Sequence, residues 1–221
     1  MYSDEFISAI EYGIPIEKLE KRLRPMSRNS RQSNGWRDYS TEGFIGENES
    51  LLETIYSDWQ LVEKYGTTHA NIANALEKVV KRHLRMGEVK HLNEDYEQLG
   101  VGMLTAGTQS CPWGCATPGG TNAGYILKRG LSRDQINSIY AKEMESFYRI
   151  MSAENPAFRD DEIEEDLKQA QTIEGKYARL TTLLPHLIRD HYFFEGDESP
   201  YRASPEILIP ALNIGVYSKK N

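Results

Sequence analysis

The chain has 221 residues, 39% of them hydrophobic and 27% charged, with a net charge of -7 and a mean hydropathy of -0.60. Such a composition suits a soluble globular protein, long enough to bury roughly 70% of its unfolded surface in one domain, or in one domain with an appended arm. The acidic balance argues against nucleic acid as the main partner; no apolar run approaches the ~18 to 20 residues of a membrane span; and the acidic N-terminus is unlike a signal peptide, so a cytoplasmic protein is expected.

Ser3 to Tyr12 reads as a short helix, with Ser3 as N-cap, Asp4 and Glu5 in the first turn, and Phe6, Ile7 and Ile10 at helical spacing. Pro15 suits the start of a second helix with an apolar stripe of Ile16, Leu19 and Leu23. Both are too short to be stable alone, so they should dock as an arm, either on their own chain or on a second copy in a homo-oligomer. From Pro25 to Glu49 the periodicity vanishes. That run is expected to be a solvated linker pinned by Trp36 and Phe44, although Arg24, Arg28, Arg31 and Arg37 could hold a phosphate or an acidic partner. Residues 1–46 are thus an N-terminal helical arm and irregular linker, and residues 47–221 a single domain.

The strongest helical pattern follows. Leu51, Leu52, Ile55, Tyr56, Trp59 and Val62 trace one face, and Thr68 then caps a helix carrying Ile72, Leu76, Val79 and Val80. His69, in the first turn, reads as a surface or capping side chain. After Gly87 short strands are expected around Val89 to Leu92, Leu99 to Thr105 and Tyr125 to Leu127, with the cysteine turn joining two of them. Ser132 and Gln135 form a capping box opening a helix that runs through Ile139 to Met151. An acidic helix should begin near Asp161, and Lys176 to Leu184 reads as helix, restarted at Pro185. Ser204-Pro205-Glu206 begins a last helix. The fold class is α+β, mainly helical with a small antiparallel sheet.

Cys111-Pro-Trp-Gly-Cys115 and His186-Leu-Ile-Arg-Asp-His191 carry the chemistry. Spacings of C-x3-C and H-x4-H make Cys111, Cys115, His186 and His191 a candidate tetrahedral zinc set. On an ideal helix residues five apart are turned by about 140°, so both imidazoles face one ion only if the helix ends between them. Otherwise the thiols are small buried side chains and the histidines satisfy carbonyls around Pro185. Four protein ligands would make the ion structural; three plus water would make a metal-dependent hydrolase, with Asp190, Glu195 or Glu198 as base.

Other chemistries fit less well. A thiol oxidoreductase needs C-x-x-C, a phosphate cradle at Thr117 to Gly124 lacks its G-K-[ST] ending, and Glu88 with His91 is one E-x-x-H where a di-iron site needs two. His186 to Arg202 is dense in charged and aromatic residues. Arg189, Asp190, Glu195, Tyr201 and Arg202 are therefore candidates for binding a small-molecule ligand of unspecified identity, with simple loop-fixing ion pairs as the competing account.

The stretches Glu42-Gly-Phe-Ile-Gly46, Gly66-Thr-Thr-His69, Cys111-Pro-Trp113 and His186-Leu-Ile-Arg-Asp-His-Tyr-Phe-Phe-Glu-Gly196, in that order, resemble a group of uncharacterised bacterial proteins. The resemblance implies one coherent domain, with about 131–180 as a helical insertion. It implies no activity.

Overall fold

The computed structural model describes residues 2–24, 43–82, 84–85, 87–100, 109–117, 120–139, 175–199 and 201–215. Two short helices, α1 (Asp4–Glu11) and α2 (Ile16–Leu23), form the arm, and α3 (Leu51–Lys64) and α4 (His69–Val80) the hairpin. Strands β1 (Val89–His91), β2 (Tyr96–Leu99), β3 (Asn122–Lys128) and β4 (Tyr177–Thr181) precede α5 (Leu184–His191) and α6 (Pro205–Ala211). Local chemistry sets the helix starts: Ser3, Ser50, Thr68 and Ser204 each accept, through the side-chain hydroxyl, a backbone N–H of the first turn. At residues 132–139 the expected capping box is present: Ser132 Oγ accepts from Gln135 N–H at 3.2 Å, and Gln135 Oε1 from Ser132 N–H at 2.9 Å.

The sheet is antiparallel throughout, in the order β1-β2-β3-β4. Alternate residues of β3 face opposite sides, which places Ile126 in the main core and Tyr125 and Leu127 in a smaller one with Leu99 and Ile139. The main core lies between the sheet and α4, α5 and α6, built on Ile72, Leu76, Leu180, Ile188 and Leu208. A third cluster joins the arm to the body: Ile10, Leu19 and Leu23 meet Phe44, Leu51, Ile55, Trp113, Leu187 and Phe193. Helix α5 separates the two large clusters, with Leu184 and Ile188 in one and Leu187 in the other.

Two expectations change. Lys176 to Leu184 is not a helix: 177–181 is strand β4, because Ala178 and Leu180 face the main core while Tyr177 faces the opposite side, the period of a strand. Residues 177–180 of the expected helical insertion thus belong to the sheet, and 140–174 of it lie outside the described residues. His69 is not a surface residue. It is only 6% exposed, its ring set among Trp59, Tyr192 and Phe194. The arm's apolar stripe is buried within its own chain, one of the two dockings expected of it. The linker with Trp36, the strand expected at 101–105, the helix beyond residue 139 and the acidic helix from Asp161 lie outside the described residues. Among the described residues no helix is long and apolar enough to cross a membrane.

Candidate metal centre

Two elements bring the four ligand candidates together. The first is the loop at 109–120, closed at its base by an antiparallel bridge between Gln109 and Gly120. Gly120 is needed at that closure, because a Cβ there would stand 2.5 Å from Leu183 Cβ at the start of α5. Within the loop the N–H of Gly114, at φ 79°, donates to Cys111 O at 2.9 Å, and Thr117 N–H to Cys115 O at 2.8 Å. This tight reversal turns both thiols to one side.

The second element is α5. Its helix does not end between the histidines, as the sequence geometry required; His191 is its last residue. The N–H of Tyr192, in the left-handed conformation at φ 57°, bonds to Leu187 O five residues back, and Phe193 N–H bonds to the same carbonyl at 3.1 Å. The left-handed Tyr192 ends the helix directly after His191, and the two imidazoles reach one centre from its first and last turns. Their ring centroids are 5.0 Å apart.

The resulting cluster is tight. One ligand atom from each of Cys111, Cys115, His186 and His191 lies within 4.8 Å of all the others. His191 Nε2 is 3.3 Å from both Cys111 Sγ and Cys115 Sγ, and His186 Nε2 is 3.3 Å from Cys111 Sγ. Sulfur and nitrogen bound to one tetrahedral zinc, with bonds of about 2.3 and 2.0–2.1 Å, would be about 3.5 Å apart. The buried Cys/His geometry fits a metal site.

Burial favours uncharged forms of the bare side chains. It pushes the Cys111 thiol up to about 11, against the backbone N–H bonds from Trp113 and Cys115, and it lowers His191 to about 4, with His186 adding to the effect. A cation at the centre would supply the charge that thiolates lack here. His191 is therefore a neutral imidazole at pH 7, the form that can ligate. Around it, Trp113 stacks at 4.2 Å between centroids and Tyr12 presents its ring edge at 5.4 Å. His186 is oriented differently, by Asp190, whose Oδ2 is 2.6 Å from His186 Nδ1. That contact fixes the proton on Nδ1 and leaves Nε2 facing the sulfurs.

The five candidate ligand-binding residues do not share one cleft. Arg189 pairs with Glu77 and Asn74, each at 3.0 Å, on the α4 side, and Asp190 serves His186. Arg202 grips Asp58 with two bonds of 2.5 and 2.6 Å and donates to Glu195 O at 2.6 Å. Glu195 is fully buried and bonded to Ser199 Oγ at 2.8 Å, while Tyr201 lies 4.2 Å beneath the Arg179 guanidinium. Arg202 also lines a polar cavity of about 420 Å³ with Asp58, Lys64, Asp197 and Glu206. Sequence reasoning missed Trp113 and Asp58 as organising residues. The Asp190 role was readable, since His186 and Asp190 are four apart on a helix and so on one face.

No family model, curated protein or solved structure matches the chain. The chemistry of the site rests on its own geometry.

Proposed function

We propose that this is a cytoplasmic zinc protein in which Cys111, Cys115, His186 and His191 close a structural metal centre, and that its role is that of a binding or accessory protein. The carrying observation is the four-donor cluster itself, two sulfurs and two imidazole nitrogens within 4.8 Å of one another. Mixed thiolate and imidazole donors suit zinc, and four protein ligands leave no position for a reacting water. Thiols kept as metal ligands suit a reducing compartment. By fastening the 109–120 loop to α5, the ion would join two segments that are distant in sequence, and its binding energy would become folding energy.

A hydrolase at the same cluster would need an open coordination position and a free carboxylate. Asp190 is engaged by His186 and Glu195 is buried against Ser199, so neither supports that alternative; Glu198, the third candidate base, is exposed with its carboxylate against Gly46. The test is elemental analysis of protein purified without an affinity tag, followed by cobalt substitution. One metal per chain and the visible absorption of tetrahedral cobalt–thiolate are expected. Absence of metal, or a spectrum of five- or six-coordinate cobalt, would overturn the structural centre.

A further inference from the structure

We infer that the metal centre also latches the N-terminal arm: docking of α1 and the α1–α2 turn is coupled to occupancy of the Cys/His site, an inference that rests on the proposed metal binding. Three contacts converge from the arm on the cysteine loop and its partner histidine. Trp113 Nε1 donates to Ile10 O at 2.7 Å in a buried bond, Arg22 Nη1 donates to Pro112 O at 3.1 Å, and the Tyr12 ring stands on His191 at 5.4 Å and 89°. Ile10 carries the buried side chain of α1, and Tyr12 is its left-handed C-cap, so two of these contacts hold the point where the chain turns into α2, and Arg22 adds a third from the last turn of α2. All three depend on the position of a loop and an imidazole that the metal would fix.

The other arm attachments do not touch the site. Phe44 N–H and Ile45 N–H donate to Leu23 O at 2.6 and 3.2 Å, and Leu51 N–H donates to Glu20 Oε1 at 2.9 Å, which anchors the end of α2 to the start of the body. Phe6 packs on Tyr56 and Trp59 of α3 with centroids 5.7 and 5.9 Å away. Metal loss therefore loosens the end of α1 and the turn, residues 7–14, while Phe6 keeps the start of α1 on α3 and α2, losing only the Arg22 bond, stays seated through Glu20 and Leu23. Coupling of this kind is reciprocal, so loosening the arm must weaken the metal by the same factor.

The experiment is residue-level hydrogen exchange on the full chain, zinc-loaded and chelator-treated, with metal content measured in each sample. Exchange of residues 7–14 should rise on the order of five- to tenfold on chelation, as expected when about one net hydrogen bond is lost, with α4 amides unchanged. A chain that binds no zinc defeats the metal centre itself. A chain that binds zinc but shows the same exchange at 7–14 with and without it defeats only the latch. Should chelation unfold the whole protein, the double variant Tyr12→Asn, Arg22→Ala decides, since asparagine tolerates the left-handed backbone at position 12 and neither residue is a ligand. Chelator competition should then show zinc held several-fold less tightly; unchanged affinity overturns the latch.

Discussion

Trp113 lies flat on His191, the two rings 4.2 Å apart and 9° from parallel, and the same indole bonds through Nε1 to Ile10 O. One side chain thus covers a face of the imidazole and ties the cysteine loop to the arm. At 4% exposure it is also a large part of the cluster that includes Leu187 and Phe193. Trp113→Ala should lower stability by about 3–5 kcal/mol, the usual cost of deleting a buried tryptophan, and should speed metal exchange with a chelator because His191 loses its cover. Thermal melts and chelator kinetics measure the two effects separately. A variant as stable as the parent and equally slow to lose metal would show that the stack shields nothing.

Asp190 acts through His186 rather than on the ion. Its carboxylate, 2.6 Å from His186 Nδ1, selects the tautomer that presents Nε2 to the sulfurs. Asp190→Ala should lower metal affinity roughly 10- to 100-fold, as loss of such orienting partners does. Asp190→Asn should recover most of it, because an amide oxygen accepts the same proton. The 41% exposure of this side chain keeps the expected cost in fold stability small. Equal affinity in all three proteins, by competition against a coloured chelator, would remove Asp190 from the site.

The metal candidates were legible because ligand chemistry is restricted to few residue types, and this chain has only two cysteines, with three residues between them in the loop. How both histidines reach one centre was not legible, since their spacing on an ideal helix sets them about 140° apart and only the folded positions of the side chains bring them together. The hairpin α3–α4 was readable from its broad apolar stripe and the Thr68 cap. Strand β4 was not: Tyr177 to Thr181 is short and mixed, and only its pairing with β3 decides its state. Likewise the charge-rich stretch from His186 to Arg202 showed many charges but not their partners, because Asp58 and Glu77 come from distant helices.

Glu195 gives a pH dependence with a definite sign. Burial pushes its carboxyl up from 4.5 to about 8, against the pull of Ser199, Arg179 and Arg202. Between those values the unfolded chain has released this proton and the folded chain keeps it. The group's contribution to stability is therefore complete below about pH 4.5 and falls as pH rises toward 8. Glu195→Gln keeps the neutral shape and removes the titration. The melting temperature of the variant relative to the parent should rise steadily from pH 5.5 to 8, with metal-site titration common to both and cancelling in the difference. A difference independent of pH would mean that Glu195 is ionised in the folded protein.

The Asp58–Arg202 pair tests whether the charged stretch is architecture. Asp58 is 1% exposed on α3 and receives both terminal nitrogens of Arg202, at 2.5 and 2.6 Å, while burial pushes its carboxyl above the ordinary range against the pull of that guanidinium. Removing either partner strands a buried charge, which costs about 3–5 kcal/mol, whereas replacing both by apolar residues of similar size is often neutral. Asp58→Ala and Arg202→Ala should each lower the melting temperature strongly, and Asp58→Leu with Arg202→Met should restore much of the loss. Arg202 also donates to Glu195 O at 2.6 Å and faces the exposed Asp197, so the rescue will be incomplete by the value of those contacts. Screening by salt is weak for so buried a pair, and the single-variant losses should persist at 1 M salt. Small, salt-sensitive losses would instead place Arg202 among surface charges and return the 420 Å³ cavity it lines to consideration as a ligand site.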